Sequence, residues 1–113
     1  MLKLEIVLDK EKIKAEGKYE WAAMQAALDG IFKQQGLIRT DLGVYTGSGR
    51  TNDYASFWRI IWALSEKEWF MDNIKKWVWY NSDAGNDEND FAKEDIIEFC
   101  KSHSVGVYDK KAI

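Results

Sequence analysis

Leu2, Leu4, Ile6 and Leu8 alternate with Lys3, Glu5 and Val7, and this period of two predicts a strand with one buried face over residues 2–8. Asp9 then stands at an N-cap position, and Lys10 to Glu16 reads as a short helical turn closed by Gly17. A hairpin through Asp9-Lys10 competes with that reading, because Ile13 and Ala15 also alternate. Over residues 19–35 the period lengthens. Trp21, Met24, Leu28, Ile31 and Phe32 fall on one helical face, Ala22, Ala23, Ala26 and Ala27 favour helix and permit close packing, and Gly36 is the stop.

Leu37 to Leu42 carries no clear period and reads as connecting chain. Gly43 to Thr46 is a short strand candidate, and Gly47-Ser48-Gly49 is a loop leading to a helix capped by Thr51, Asn52 or Asp53. The stretch from Asp53 to Tyr80 then organises the pattern. Tyr54, Phe57, Ile61 and Leu64 make one stripe, with Trp58 and Trp62 beside it, four residues apart. Ser65-Glu66-Lys67-Glu68 has capping-box spacing and predicts a second helix after a bend. Phe70, Ile74, Trp77 and Val78 form its inner stripe, while Asp72, Lys75 and Lys76 face out. Trp69, Met71 and Trp79 do not all fit the inner face, so some of them are expected at the surface.

Asn81 to Asp90 reads as a polar loop, residues 91–102 as a last helix with Ile96, Phe99, Cys100 and His103 on one face, and Val105 to Tyr108 as a final short strand. The Gly-Val-Tyr triplet occurs twice, which is too short to argue duplication. The expectation is therefore one α+β domain over residues 1–113: a small sheet of about three short strands with about four helices packed on one face.

Composition changes this picture in one respect. Six tryptophans, five tyrosines and five phenylalanines stand in 113 residues, and five of the tryptophans lie between Asp53 and Tyr80. Each buried aromatic removes roughly 150–250 Å² from water, so these rings can dominate a small core or leave an aromatic patch on its surface. Formal net charge is −3 with no basic stripe, which argues against a nucleic-acid backbone and fits, loosely, a basic protein partner. Cys100 is the only cysteine, so no intramolecular disulfide forms; the N-terminal run lacks a secretory pattern, and no apolar run approaches the ~20 residues of a membrane span. A cytoplasmic location is expected.

No catalytic constellation stands out. The loop Gly47, Ser48, Gly49, Arg50 and Thr51 lies between a strand candidate and a helix start, where backbone N–H groups could hold an anion, with Arg50 as the clamp. The phosphate fingerprints miss. Five residues separate Gly43 from Gly49 where a Walker A loop has four, Arg50 stands in place of its lysine, and Asn52 stands where a dinucleotide loop has Gly or Ala. Asp83, Asp87, Asn89 and Glu94 occupy positions 1, 5, 7 and 12 of an EF-hand frame, but Gly85, Glu88 and Asp90 replace the position-3 ligand, the turn glycine and the apolar residue. His103 and Cys100 have no second histidine or cysteine to complete a zinc site or a usual relay. No cofactor and no catalytic residue is expected.

The remaining candidates are aromatic. Trp69, Trp79 and Tyr80, beside Asp83, Asp87 and Glu88, are expected to form a partner-binding patch with an acidic rim, since Trp and Tyr are favoured interface anchors. The chain resembles short uncharacterised proteins carried on mobile elements of Firmicutes, through the Tyr45-Thr46-Gly47-Ser48-Gly49 loop, the run from Glu68 to Asn73 and the Asn81-Ser82-Asp83 exit. That resemblance covers most of the chain and implies no activity. The expected function is a non-enzymatic protein-interaction module; the alternatives are a small-ligand or anion binder at Gly47–Thr51, and a subunit that self-associates through its aromatic helices.

Overall fold

The computed structural model of the chain describes residues 2–81 and 92–109. Strand β1 (Leu2–Leu8) follows the alternation, with Leu2, Leu4, Ile6 and Leu8 all buried. Helix α1 (Lys10–Glu16) starts where the Asp9 carboxylate accepts from the Lys12 N–H at 3.1 Å and stops at Gly17. Helix α2 (Trp21–Gln34) buries Met24, Leu28 and Phe32. Its four alanines face solvent, so they contribute helix propensity rather than close packing.

Two strands form a hairpin after α2: β2 (Ile38–Asp41) and β3 (Val44–Thr46). The first of these stood as connecting chain in the sequence. It is an edge strand with every residue exposed, so it carries no buried alternation to read. Helix α3 (Asp53–Ser65) buries Phe57, Ile60, Ile61 and Leu64.

The second aromatic helix is corrected to a single turn and a strand. Helix α4 (Glu68–Met71) begins without a side-chain cap, because the Ser65 hydroxyl donates back to the Trp62 carbonyl at 2.7 Å instead of bonding forward. The Asn73 amide donates to the Trp69 carbonyl at 2.7 Å and closes the turn. Strand β4 (Ile74–Asn81) then runs antiparallel to β1, pairing Trp77 with Ile6 and Trp79 with Leu4. Spacings of three and four suit a helix, but Trp77 and Trp79 also alternate with Lys76, Val78 and Tyr80. The need of β1 for a second hydrogen-bonded neighbour decides between the two periods.

Strand β5 (Ala92–Asp95) pairs with β4, and helix α5 (Ile96–Ser102) follows, with Asp95 as its N-cap accepting from the Glu98 N–H at 3.2 Å. Of the helix expected over 91–102, residues 92–95 are strand and 96–102 are helix, divided at that cap; residue 91 lies outside the described residues. The expected final strand is a 3₁₀ turn, Gly106–Tyr108. The class is α+β as expected, but among the described residues the sheet has five strands rather than three, in the order β2-β3-β1-β4-β5 with every neighbouring pair antiparallel. Five α-helices rather than four accompany it among the described residues.

The core is built of rings. Phe32 of α2 stacks on Tyr45 of β3 at 3.8 Å, Phe57 of α3 meets Trp79 edge-on at 5.1 Å, and Phe70 of α4 meets Trp77 at 4.9 Å. These contacts seat α2, α3 and α4 on the Leu4–Ile6 face of the sheet. The Tyr45 hydroxyl reaches Asp29 of α2 at 2.6 Å, and Arg39 pairs with the same carboxylate at 3.2 Å, which ties the hairpin to the helix. Burial, with the Asp29 bond second, pushes the Tyr45 phenol well above its ordinary range. No helix among the described residues is long and apolar enough to cross a membrane.

Candidate functional site

The glycine loop is organised from within. Asp53, in the first turn of α3 and only 7% exposed, turns its carboxylate back onto the loop. It accepts from the Ser48 hydroxyl at 2.9 Å, the Gly49 N–H at 2.8 Å and the Arg50 N–H at 3.1 Å. The Arg50 guanidinium donates to Ser48 Oγ at 2.9 Å and to the Gly36 carbonyl at 3.2 Å. Thr51 lies exposed in the turn before the helix. The backbone donors that would cradle an anion thus already hold the chain's own carboxylate, and an external anion would have to displace it. Asp53→Ala is expected to leave these donors without their acceptor and to cost roughly 2–3 kcal/mol. Thermal unfolding checks this, with a fall in Tm of about 10 °C expected; an unchanged Tm would contradict the assignment.

The expected aromatic patch is redistributed. Trp79 is 4% exposed and belongs to the core, because its strand position points it at α3; its place in an exposed patch is corrected. Trp69 is half-buried beside Tyr19, Glu16, Glu68 and Asp72 at a depression of about 150 Å³. Tyr80 lies half-buried on the opposite, polar face of the sheet. There its hydroxyl donates to Glu5 at 3.1 Å, and the Lys3 ammonium sits 4.5 Å from its ring centre. A hydrogen bond from Lys76, 2.9 Å away, holds the Glu5 carboxyl below its usual range. Burial first, and then Glu5, raises the Tyr80 phenol. Asp83, Asp87 and Glu88 lie outside the described residues, as do Gly85, Asn89 and Asp90 of the EF-hand frame. Its last position, Glu94, falls on β5 rather than at a helix start. Among the described residues no group of three His, Cys, Asp or Glu stands together to hold a metal. Cys100 is buried, which raises its thiol, while His103 is exposed and stacks on Phe99 at 4.5 Å, so the two do not face a common site.

The aromatic surface lies elsewhere. Tyr54 is 53% exposed and Trp62 46% exposed, and Trp58 stands half-buried between them on α3. Ring centres run 6.4 Å from Tyr54 to Trp58 and 6.2 Å from Trp58 to Trp62. Phe99 of α5 closes the run, 5.9 Å from Trp58 and 6.2 Å from Trp62. The sequence carried a signal for this ridge. At 3.6 residues per turn Trp58 lies about 100° and Trp62 about 140° round the helix from Phe57, off the buried stripe. Tyr54, placed within the stripe by spacing, sits about 60° from Phe57, at its border. No protein-family model, no curated protein and no solved structure matches this chain.

Proposed function

We propose that the protein is a non-enzymatic interaction module, acting in the cytoplasm, that docks a protein partner on the α3–α5 aromatic ridge. The observation that carries this is the continuous run of Tyr54, Trp58, Trp62 and Phe99, with its two outer α3 rings about half in water. Phe57, Ile60, Ile61 and Leu64 supply the helix's buried apolar contacts, whereas Tyr54 and Trp62 keep about half of their surface in water. Covering about 100 Å² of each exposed ring contributes roughly 2–3 kcal/mol to association, the scale of an interface anchor. Ile38, exposed on the edge strand β2 away from the ridge, serves as the comparison.

The test is affinity capture from source-cell lysate with wild type, Trp62→Ala and Ile38→Ser. A protein retained in stoichiometric amount by wild type and Ile38→Ser, and lost by Trp62→Ala of unchanged Tm, is the expected result. Equal recovery by all three would overturn the reading. A doubled mass in light scattering that returns to monomer in Trp62→Ala would replace the partner by a second copy.

A further inference from the structure

One end of the ridge opens into a groove of about 380 Å³ lined by Tyr54, Trp58, Trp79, Asn81, Lys93 and Glu94. Three of its walls are rings in mutual contact. Tyr54 and Trp79 lie 5.9 Å apart at 77°, Trp58 and Trp79 5.9 Å apart at 64°. The fourth wall is a carboxylate. Glu94 pairs directly with Trp79 across β4 and β5, which puts its side chain on the same face of the sheet as that ring. Glu94 is exposed, and among the described residues no lysine or arginine pairs with it. The neighbouring lysine does not neutralise the groove. Lys93 pairs with Tyr80, so its side chain leaves by the other face, where its ammonium lies 5.7 Å from the Tyr80 ring centre.

Aromatic faces and one unpaired carboxylate select a particular cation. A hard divalent ion requires several oxygen ligands, and this groove offers one carboxylate. An ammonium is compact and strongly hydrated, whereas a guanidinium is planar, weakly hydrated, stacks on rings and bonds a carboxylate through two parallel N–H groups. Resting on the docking reading above, we propose that this groove receives an arginine side chain of the docked partner, stacked against Tyr54 and Trp58 and paired with Glu94. The protein's net charge of −3 favours approach of a basic segment.

The probe is the peptide acetyl-Gly-Arg-Gly-amide, with its citrulline counterpart as the uncharged isostere. Indole N–H resonances of the ¹⁵N-labelled protein are followed during titration. Saturable shifts of the Trp58 and Trp79 signals are expected with the arginine peptide, weakening as salt is raised. Binding should fall at least threefold for the citrulline peptide and for Glu94→Gln, and stay unchanged in Ile38→Ser, which lies on β2 at the opposite edge of the sheet. Equal shifts with citrulline, equal binding by Glu94→Gln, or no saturable shift would overturn the assignment. The two proposals fail separately. If Glu94→Gln captures the same partner as wild type and Trp62→Ala does not, the arginine assignment falls and the docking reading stands. If neither variant loses the partner, the docking reading falls.

Discussion

Trp77→Ala is expected to destabilise the protein by roughly 3–5 kcal/mol, a large share of the ~5–15 kcal/mol that holds a domain of this size together. Trp77 is completely buried on β4, opposite Ile6 of β1 and edge-on to Phe70 of α4. Truncating it removes the ring that joins the centre of the sheet to the helix layer and leaves a cavity that fixed strands cannot collapse. Among the described residues its indole N–H has no hydrogen-bond partner, so packing holds the ring. Trp77→Phe should therefore cost much less, roughly 1–2 kcal/mol, because losing an unsatisfied buried donor offsets part of the lost contact. Urea unfolding checks both; the midpoint for Trp77→Ala should fall by about 2 M at an ordinary slope. A change within about 0.5 kcal/mol, usual for an exposed position, would contradict the burial of Trp77 between sheet and helix layer.

Gly43→Ala is the second large effect. Gly43 sits at the β2–β3 turn with φ +73°, the left-handed region that costs an L-residue roughly 1–2 kcal/mol. Here a steric term adds to the strain. A Cβ at Gly43 would lie 2.2 Å from the Ile6 carbonyl oxygen, which is backbone and cannot rotate away. The hairpin or β1 must shift, and the 2.8 Å bond from the Ile6 N–H to the Gly43 carbonyl goes with it. A loss of about 3 kcal/mol or more is expected, with faster hydrogen exchange at the Ile6 amide. Gly17→Ala is the control. It has φ +68° but no atom within 4 Å of the added Cβ, so it should show the strain alone, about 1 kcal/mol. Equal losses at the two glycines would contradict the close approach of hairpin and strand.

Legibility followed burial. β1, α1, α2 and α3 have one buried face each, so alternation and helical spacing found them. β2 escaped because an edge strand with no buried residue has no period to detect. Residues 74–81 misled because an aromatic-rich run satisfies both periods, and only the pairing with β1, about seventy residues away in sequence, chooses between them. The same ambiguity moved the aromatic site. Taken as a helix, the run left Trp79 facing out; taken as a strand, it turns Trp79 into the core and leaves exposure to Tyr54 and Trp62. Asp53 stood in the sequence as one of three cap candidates; the N-cap is Asn52, and Asp53 instead fills the glycine loop, a role that depends on the direction in which its carboxylate turns.

The measurement that tests the ridge most directly is the affinity of the captured partner, once purified, for wild type and for Trp62→Ala by titration calorimetry. Loss of a half-exposed anchor at a docking surface should weaken binding by roughly 30-fold or more, about 2 kcal/mol or above. Equal affinities for the two proteins would show that the partner does not cover Trp62, and would contradict docking through the α3–α5 ridge.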